Sequence, residues 1–229
     1  MNLLPKKILL FAAHHDDETI SCAGTIKKMS LKGVEVVVVF ATNGATGIDH
    51  TKKYEQDIKN QRILESKKVG ELLGIKEIIN WSQECQNFKN SKENLHKAIK
   101  IIRKERPCIV ITHSFHEKHR DHKNLSKLIE EAVWKASEDI MPNLGQCYRV
   151  KDTWAFEVVN LLDRVDFCID ITEYMDYKIK AMQIYESQKN VVSGVIDYID
   201  GIGKVRGFEI GVKYAEAFKR LGSQPVECY

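Results

Sequence analysis

The chain has 229 residues, of which 43% are hydrophobic, and a formal net charge of +3, which fits one α/β domain or at most two small ones. The small charge and the even spread of lysine and arginine argue against a nucleic-acid or membrane-surface partner, and no apolar run approaches the roughly 20 residues of a membrane span. Six scattered cysteines without a close pair indicate reduced thiols in a cytosolic protein.

The first two thirds of the chain alternate between short apolar runs and segments of helical periodicity. The predicted elements, in order, are a strand at 7–12, a helix at 19–32, a strand at 34–40, a helix at about 57–73, a strand at 75–81, a helix at about 93–104, a strand at 108–112 and a helix at about 123–137. With right-handed crossovers, this order predicts a Rossmann-like, doubly wound, mostly parallel sheet with helices on both faces.

The last third has a different character. Two further strands at 153–159 and 165–169 and a helix at 174–186 are predicted, whereas the signals weaken between 188 and 211. The chain contains neither a low-complexity linker nor an internal repeat, so we expect residues 1–229 to form a single domain.

The end of the first predicted strand carries five consecutive ionisable residues, from His14 to Glu18. Ligands of open α/β sheets bind in the crevice outside the carboxyl ends of the strands. Burying unpaired charges there is costly, and a divalent metal would offset that cost. A metal-binding role is therefore the interpretation that explains why these residues occur together.

A second cluster follows the fourth predicted strand and holds half of the eight histidines, between positions 113 and 122. It ends at the same sheet edge as the first cluster, so we expect both to form one site. His14 and Asp17 lie three positions apart across a strand-to-helix turn, and His122 is the best third ligand. Such a set leaves a zinc coordination position open for water, whose pKa the metal lowers to about 7.

Three neighbouring residues are predicted to complete the chemistry. Asp16 can act as the base that activates the water, and His119 can stabilise the oxyanion. Asp121 would hold His119 in orientation and favour its charged form. Simpler interpretations stay open. Asp16 and Asp17 could be an acid pair at a helix N-terminus. The remaining histidines of the clusters, His15, His113 and His116, could be solvated residues or hydrogen-bonded supports.

Several motifs together resemble one known family, the N-acetylglucosaminyl-phosphatidylinositol de-N-acetylases and LmbE-like proteins. The resemblance rests first on Ala-His-x-Asp-Asp-Glu at 13–18 and His-x-Asp-His at 119–122. It extends to Thr-Asn-Gly at 42–44, Arg-x-x-Glu at 62–65, Lys-x-x-Ala at 178–181 with Ser-Gln at 187–188, and Arg-Gly at 206–207 with Tyr-Ala-Glu-Ala-Phe at 214–218.

The resemblance implies a zinc-dependent enzyme, or one using a similar divalent metal, that removes the acetyl group from an N-acetylated sugar or sugar conjugate. His14, Asp17 and His122 match its metal ligands, Asp16 its general base, His119 its oxyanion-stabilising residue and Asp121 the carboxylate behind that histidine. Arg62 matches a residue expected near the sugar hydroxyls, although an ion pair with Glu65 is a nearly equal alternative.

Some positions depart from the family pattern. His15 and Arg120 stand where the family usually has proline, Glu117 stands where Asp is common, and only Glu84 lies near the place of an Asp after the third strand. Two alternative functions stay open: a metallohydrolase of another N-acyl sugar amide, and a non-catalytic metal- or nucleotide-binding module. The loop with Gly44 and Gly47 is a weak nucleotide signal. The aglycone and the formation of a homo-oligomer are left open.

Overall fold

The computed structural model describes residues 4–45, 55–189 and 191–222. Its strands are β1 (Lys7–Ala12), β2 (Glu35–Thr42), β3 (Glu77–Gln83), β4 (Ile109–His113), β5 (Asp152–Phe156), β6 (Phe167–Asp170) and β7 (Ala215–Arg220). Its α-helices are α1 (Asp17–Leu31), α2 (Glu55–Leu73), α3 (Lys92–Glu105), α4 (Arg120–Ser137), α5 (Met175–Ile184) and α6 (Val195–Ile210).

The strands form one sheet in the order β3-β2-β1-β4-β5-β7-β6. The first five run parallel, and β7 runs antiparallel to both of its neighbours. The predicted Rossmann-like, mostly parallel sheet is confirmed. The strand order reverses between β1 and β4, so the crevice beyond their carboxyl ends is the topological switch point at which such folds bind ligands. The two clusters of ionisable residues follow these two strands.

The central strands are apolar because both faces of the sheet are covered. Along β1, Ile8 and Leu10 belong to one buried cluster, which packs against α1, α2, α5 and α6. Leu9 and Phe11 point to the other face and belong to the cluster under α3 and α4, as the two-residue period of a strand requires. This two-sided core holds the ends of β1 and β4 side by side.

The C-terminal region contains two elements that the sequence pattern does not predict, α6 and β7. Gly201, Gly203 and Gly207 lie inside α6 and weaken its helical signal, since each glycine costs about 1 kcal/mol relative to alanine. Gly207 is needed there, because a Cβ would lie 2.7 Å from the backbone of Lys213. β7 begins Ala-Glu-Ala, which has little strand propensity, and its pairing with β5 and β6 determines its conformation.

Helix α1 is interrupted at Cys22, which has non-helical angles of φ −146° and ψ 25°. The buried carboxylate of Glu216 accepts hydrogen bonds from the amides of Gly24 and Thr25, at 3.0 and 2.7 Å. Lys178, also buried, donates to Glu216 at 2.6 Å. This ion pair satisfies the polar groups exposed by the interruption and fastens α1 to α5 and β7. It gives a structural role to two C-terminal motif residues.

Smaller features complete the description of the fold. No helix in the described ranges is long and apolar enough to cross a membrane, and the five cysteines described form no disulfide. Helices α1 and α4 begin two and three residues earlier than predicted, so His122 lies in the first turn of α4. Thr46 and Gly47 of the glycine-containing loop lie outside the described residues, as do His50 and Cys228.

Candidate active site

The turn between β1 and α1 is built around Asp16, whose φ of 133° lies in a region that non-glycine residues rarely adopt. Its carbonyl accepts from the amides of Thr19 and Ile20 at 2.9 and 2.8 Å, and its own amide donates to the Glu18 carboxylate at 3.0 Å. Glu18 is fully buried and accepts from the Tyr185 hydroxyl at 2.8 Å. These bonds hold the strained turn and fix the direction of the Asp16 side chain.

Three side chains from the two clusters meet at this turn. Nδ1 of His14 lies 3.3 Å from Oδ2 of Asp17 and 3.1 Å from Nε2 of His122. Nε2 of His122 lies 3.4 Å from the other oxygen of Asp17. Tetrahedral zinc with ligand bonds of about 2.0–2.1 Å separates its ligand atoms by about 3.3 Å. The three residues thus supply zinc-type donors at about this spacing, with a different oxygen of Asp17 nearest to each imidazole.

The electrostatics of this group also fit a cation. Burial favours the neutral form of the Asp17 carboxyl, yet the charges of His122 and His14 hold its pKa well below the usual value. Burial opposes a positive charge on His122, but attraction to Asp17 raises its pKa to about 9. The buried carboxylate thus requires positive charge beside it. A divalent ion would supply that charge and displace the protons from the imidazoles.

The remaining histidines of the two clusters make other contacts. His113 accepts a hydrogen bond from the Ala13 amide at 2.9 Å through Nε2, and this nitrogen also lies 3.3 Å from Asp17. The His15 ring pairs with Asn80 at 2.8 Å, and burial lowers the pKa of His15 to about 3. His116 is exposed and lies 3.5 Å from Asp163. These three histidines therefore make contacts typical of supporting residues. Two other sets of residues also lie close enough to hold a metal: His14 with His119 and His122, and Asp17 with His113 and His122.

Glu117 contacts the His122 ring on the side away from Asp17. Its Oε2 atom lies 3.4 Å from Nδ1 of His122, the ring nitrogen that does not face Asp17. The same carboxylate accepts from the backbone amides of Val158 and Val159, at 2.8 and 3.2 Å. A carboxylate on the outer nitrogen of a metal-binding histidine fixes its tautomer and raises its basicity. From the sequence, Glu117 is only a departure from the family pattern; its position between His116 and His119 is the one sequence feature that indicates such a role.

Asp121 lies closer to His14 than to His119, the ring that it is predicted to hold. Its Oδ2 atom lies 3.2 Å from Nε2 of His14 and 4.0 Å from Nδ1 of His119. Its carboxylate also accepts from the backbone amides of Gln86 and Phe88, at 2.7 and 3.1 Å. The reason is the start of α4, which turns the Asp121 side chain toward the loop after β3 and toward His14. Asp121 thus contacts the outer ring nitrogen of His14, a predicted metal ligand.

The expected charge of His119 also differs. His119 is the N-cap of α4, and its Nδ1 atom accepts from the Asp121 amide at 3.2 Å. An imidazolium has no acceptor nitrogen and would lose this bond. Burial, followed by repulsion from His14 and His122, lowers the pKa of His119 to about 4. Both the contact at Nδ1 and the lowered pKa favour the neutral ring, whose proton is then on Nε2.

Arg62 lies beside Asp16 rather than beside Glu65. Its Nη2 atom donates to the carbonyl of His15 and lies 3.4 Å from Oδ1 of Asp16. Glu65 accepts instead from the hydroxyl of Ser187 at 2.6 Å, so the alternative Arg62–Glu65 ion pair is not formed. The Arg62 guanidinium is buried, and its Nε and Nη1 atoms have no hydrogen-bond partner among the described residues.

The Asp16 carboxyl is tuned by its surroundings. Burial raises its pKa to about 6, although the neighbouring Arg62 charge opposes that shift. A carboxylate with a pKa just below neutral pH is a suitable general base, because it is ionised and still takes up a proton readily. The arrangement can therefore bind a cation and move a proton beside it.

The fold and the site together define a class of protein, an α/β protein with a candidate metal centre at the switch point of a mostly parallel sheet. Residues 9–133 match the family model described as PIG-L: GlcNAc-PI de-N-acetylase. Since this match spans more than half of the chain, the chain belongs to that family.

Individual relatives agree with this assignment. The chain is 29% identical over 223 residues to diacetylchitobiose deacetylase of Thermococcus kodakarensis, covering 93% of this chain and 82% of the relative. The structure of N,N'-diacetylchitobiose deacetylase from Pyrococcus horikoshii superposes with a TM-score of 0.88 at 28% identity, covering 95% of this chain and 84% of that one. Both relatives are named as deacetylases, which hydrolyse an amide bond.

A third comparison shows that a similar fold occurs in a protein named for a different reaction. The 4-carboxy-2-hydroxymuconate hydratase from Pseudomonas putida superposes with a TM-score of 0.86 at 21% identity, covering 98% of this chain and 99% of that one. That similarity concerns the fold. Because one fold hosts different reactions, the function has to be argued from the site.

Proposed function

We propose that this protein is a deacetylase, dependent on zinc or a similar divalent metal, that hydrolyses the acetyl amide of an N-acetylglucosamine-type sugar or sugar conjugate. Residues 1–229 would form one such domain, and the scattered cysteines favour a cytosolic location. The observation that carries the proposal is the convergence of His14, Asp17 and His122. The two imidazole nitrogens lie 3.1 Å apart, and each lies 3.3–3.4 Å from one oxygen of Asp17. The family membership supports the reaction class.

His14, Asp17 and His122 would hold the metal through two imidazole nitrogens and one carboxylate. When bound, the metal supplies Lewis-acid polarisation of the acyl carbonyl and lowers the pKa of the attacking water. Asp121 and Glu117 would keep the outer nitrogens of His14 and His122 hydrogen-bonded, at 3.2 and 3.4 Å. This fixes both rings in the orientation that binding requires.

Asp16 would act as the general base. Its carboxylate takes the proton of the attacking water and later returns it to the nitrogen of the departing amine. The strained backbone at Asp16 and the nearby Arg62 guanidinium, 3.4 Å from Oδ1, keep this carboxylate aimed at the site. Arg62 would also lie near the sugar hydroxyls, the role that the family resemblance implies for this residue.

His119 would stabilise the oxyanion that forms as water adds to the acyl carbon. Its Nδ1 atom is occupied by the Asp121 amide, so Nε2–H is the donor. The side chain of His119 is 25% exposed, whereas that of His122 is 3% exposed. A donor at this position acts on charge that develops only during the reaction, which is how an oxyanion hole accelerates acyl transfer.

The test combines metal analysis with a substrate screen. We expect about one divalent ion per chain, and acetate release from N-acetylglucosamine, diacetylchitobiose or larger conjugates. Chelator should abolish this release, and zinc should restore it. Release of formate or a longer acid in preference to acetate would identify a hydrolase of another N-acyl sugar amide. Metal binding without release of any acid would indicate a non-catalytic module.

The ligand assignment has its own control. His122→Ala should lose metal and activity while keeping the circular dichroism of the folded chain. His116→Ala should change neither, because its exposed ring lies 3.5 Å from Asp163 at the surface. Full metal content in the His122 variant would contradict the proposed ligand set.

A further inference from the structure

The loop after β5, residues 157–162, surrounds the carboxylate of Glu117 with backbone amides. Three consecutive amides, those of Val158, Val159 and Asn160, lie 2.8, 3.2 and 3.4 Å from oxygens of this carboxylate. Successive backbone N–H groups that converge in this way form a binding place for an anion. Glu117 is fully buried, so the position of its carboxylate depends on the conformation of this loop.

Helix α6 holds the loop after β5 at two places. Arg206 donates from Nε and Nη2 to the two oxygens of Glu157, at 2.9 and 2.8 Å. Glu157 in turn accepts from the backbone amide of Leu162 at 2.7 Å, which closes the loop. The hydroxyl of Tyr198 donates to the carbonyl of Val158 at 2.6 Å. Both ends of the loop and one of its peptide groups are thus fixed to α6.

These contacts are specific in their geometry. The side chains of Arg206 and Glu157 are 8% and 5% exposed, and two parallel hydrogen bonds between a guanidinium and a carboxylate fix their relative orientation. The carbonyl of Val158 and the amide of Val159 belong to one planar peptide group. Through this group, Tyr198 holds an N–H that points at the enclosed carboxylate. A change in either contact of α6 should therefore move the amides that surround this carboxylate.

We propose that Arg206 and Tyr198 are positioning residues for the metal centre. They act through the loop after β5 on Glu117, and Glu117 acts on the ring of His122. The Oε2 atom of Glu117 lies 3.4 Å from Nδ1 of His122, and a carboxylate in such a place raises the affinity of a histidine for metal. The inference rests on the proposed function, in which His122 is a metal ligand. It also gives a role to the arginine of the Arg-Gly motif at 206–207.

The first test measures metal affinity by competition with a chromogenic chelator. Arg206→Lys keeps a positive charge but cannot bind both oxygens of Glu157 in one plane. We expect its affinity to be roughly 10-fold weaker, the lower end of the effect of losing an outer contact of a metal-binding histidine. Glu209→Gln is the control. Glu209 is the exposed second partner of Arg206, at 2.7 Å, and its replacement should leave the affinity unchanged.

Two tyrosines provide a matched pair of milder variants. Tyr198→Phe loses only the hydroxyl contact with the carbonyl of Val158 and should weaken metal affinity roughly 3-fold, as expected for one hydrogen bond. The hydroxyl of Tyr214 donates instead to Asp200 on α6, at 2.9 Å. Tyr214→Phe should therefore bind metal like the wild type, even where urea unfolding shows that both variants lose stability. A purely structural role of Tyr198 would not separate the two variants in metal affinity.

A double-mutant cycle tests the route of the effect. Arg206→Lys in a Glu117→Ala background should cause no further loss of affinity, because the carboxylate that the loop positions is absent. The inference is overturned if the loss persists in that background, or if Tyr198→Phe and Tyr214→Phe bind metal equally. The tyrosine pair decides the matter where Glu117→Ala does not fold. Full metal content in His122→Ala would contradict the proposed ligand set instead, while the tyrosine pair would still show whether α6 affects metal binding.

Discussion

The Oδ2 atom of Asp121 lies 3.2 Å from Nε2 of His14. Nδ1 of the same ring faces Asp17 and His122, so the carboxylate and the proposed metal position lie at opposite nitrogens of one imidazole. This is the arrangement in which a carboxylate holds a metal-binding histidine in the required tautomer. Asp121 therefore lies where it would support a proposed metal ligand, and it is closer to His14 than to His119.

Replacement of Asp121 tests this connection. Asp121→Ala should weaken metal affinity roughly 10- to 100-fold, the usual effect of losing such a carboxylate. Competition with a chromogenic chelator measures it. Asp163→Asn, at a carboxylate whose side chain is 49% exposed, should leave the affinity unchanged. If Asp121→Ala kept its metal affinity but had a lower kcat, Asp121 would instead orient His119, as the sequence predicts.

The adjacent aspartates of the first motif should behave differently. Asp16→Asn should keep the metal and lose roughly 10²–10⁴-fold in kcat, the usual contribution of a general base. Asp17→Asn should lose the metal, because its carboxylate lies 3.3–3.4 Å from both imidazole ligand atoms. Metal content and kcat of the two purified variants decide the matter. Equal metal loss in both would show that their proposed roles are not distinct.

Alanine substitutions at two glycines with positive φ, Gly44 and Gly33, distinguish the effect of backbone strain from the effect of displacing Arg62. Gly44→Ala and Gly33→Ala impose similar strain, since their φ values are 65° and 79°, and each should cost about 1–2 kcal/mol of stability. A Cβ at Gly44 also collides with Nε of Arg62, whereas nothing lies within 4 Å at Gly33.

Activity should therefore distinguish these variants. Displaced Arg62 misaligns Asp16, and a misplacement of about 1 Å can cost about 10²-fold in rate. We expect that loss in kcat/KM for Gly44→Ala and nearly normal kinetics for Gly33→Ala. Steady-state kinetics and urea unfolding of both variants provide the comparison. Equal activity in the two would remove Arg62 from the support of the base.

The buried ion pair between Lys178 and Glu216 should contribute to the stability of the fold. Lys178→Met leaves Glu216 as an unpaired buried charge and should lower the free energy of unfolding by about 3–5 kcal/mol. Lys204→Met is a matched control, because Lys204 pairs with Asp200 at the surface and should unfold like the wild type. Urea unfolding measures both. A stable Lys178 variant would show that the interruption of α1 is satisfied by other groups.

The alternation of apolar strands and periodic helices predicted the fold, because strand and helix periods are local properties of the chain. The same local signal located both ionisable clusters at the ends of strands that neighbour each other, β1 and β4. The residue types predicted a metal site there, and His14, Asp17 and His122 stay a prediction as its ligands. The single domain and the cytosolic location also stay predictions.

Contacts between distant residues were decided only by the tertiary structure. Sequence spacing paired Asp121 with His119, but the first turn of α4 directs its carboxylate to His14, 107 positions away. Arg62 meets Asp16 rather than Glu65, and Gln86 reaches His119 across 33 positions. The strand β7 depends on pairing with β5 and β6 because its own residues carry little propensity. Side-chain partners follow from packing, which no local period encodes.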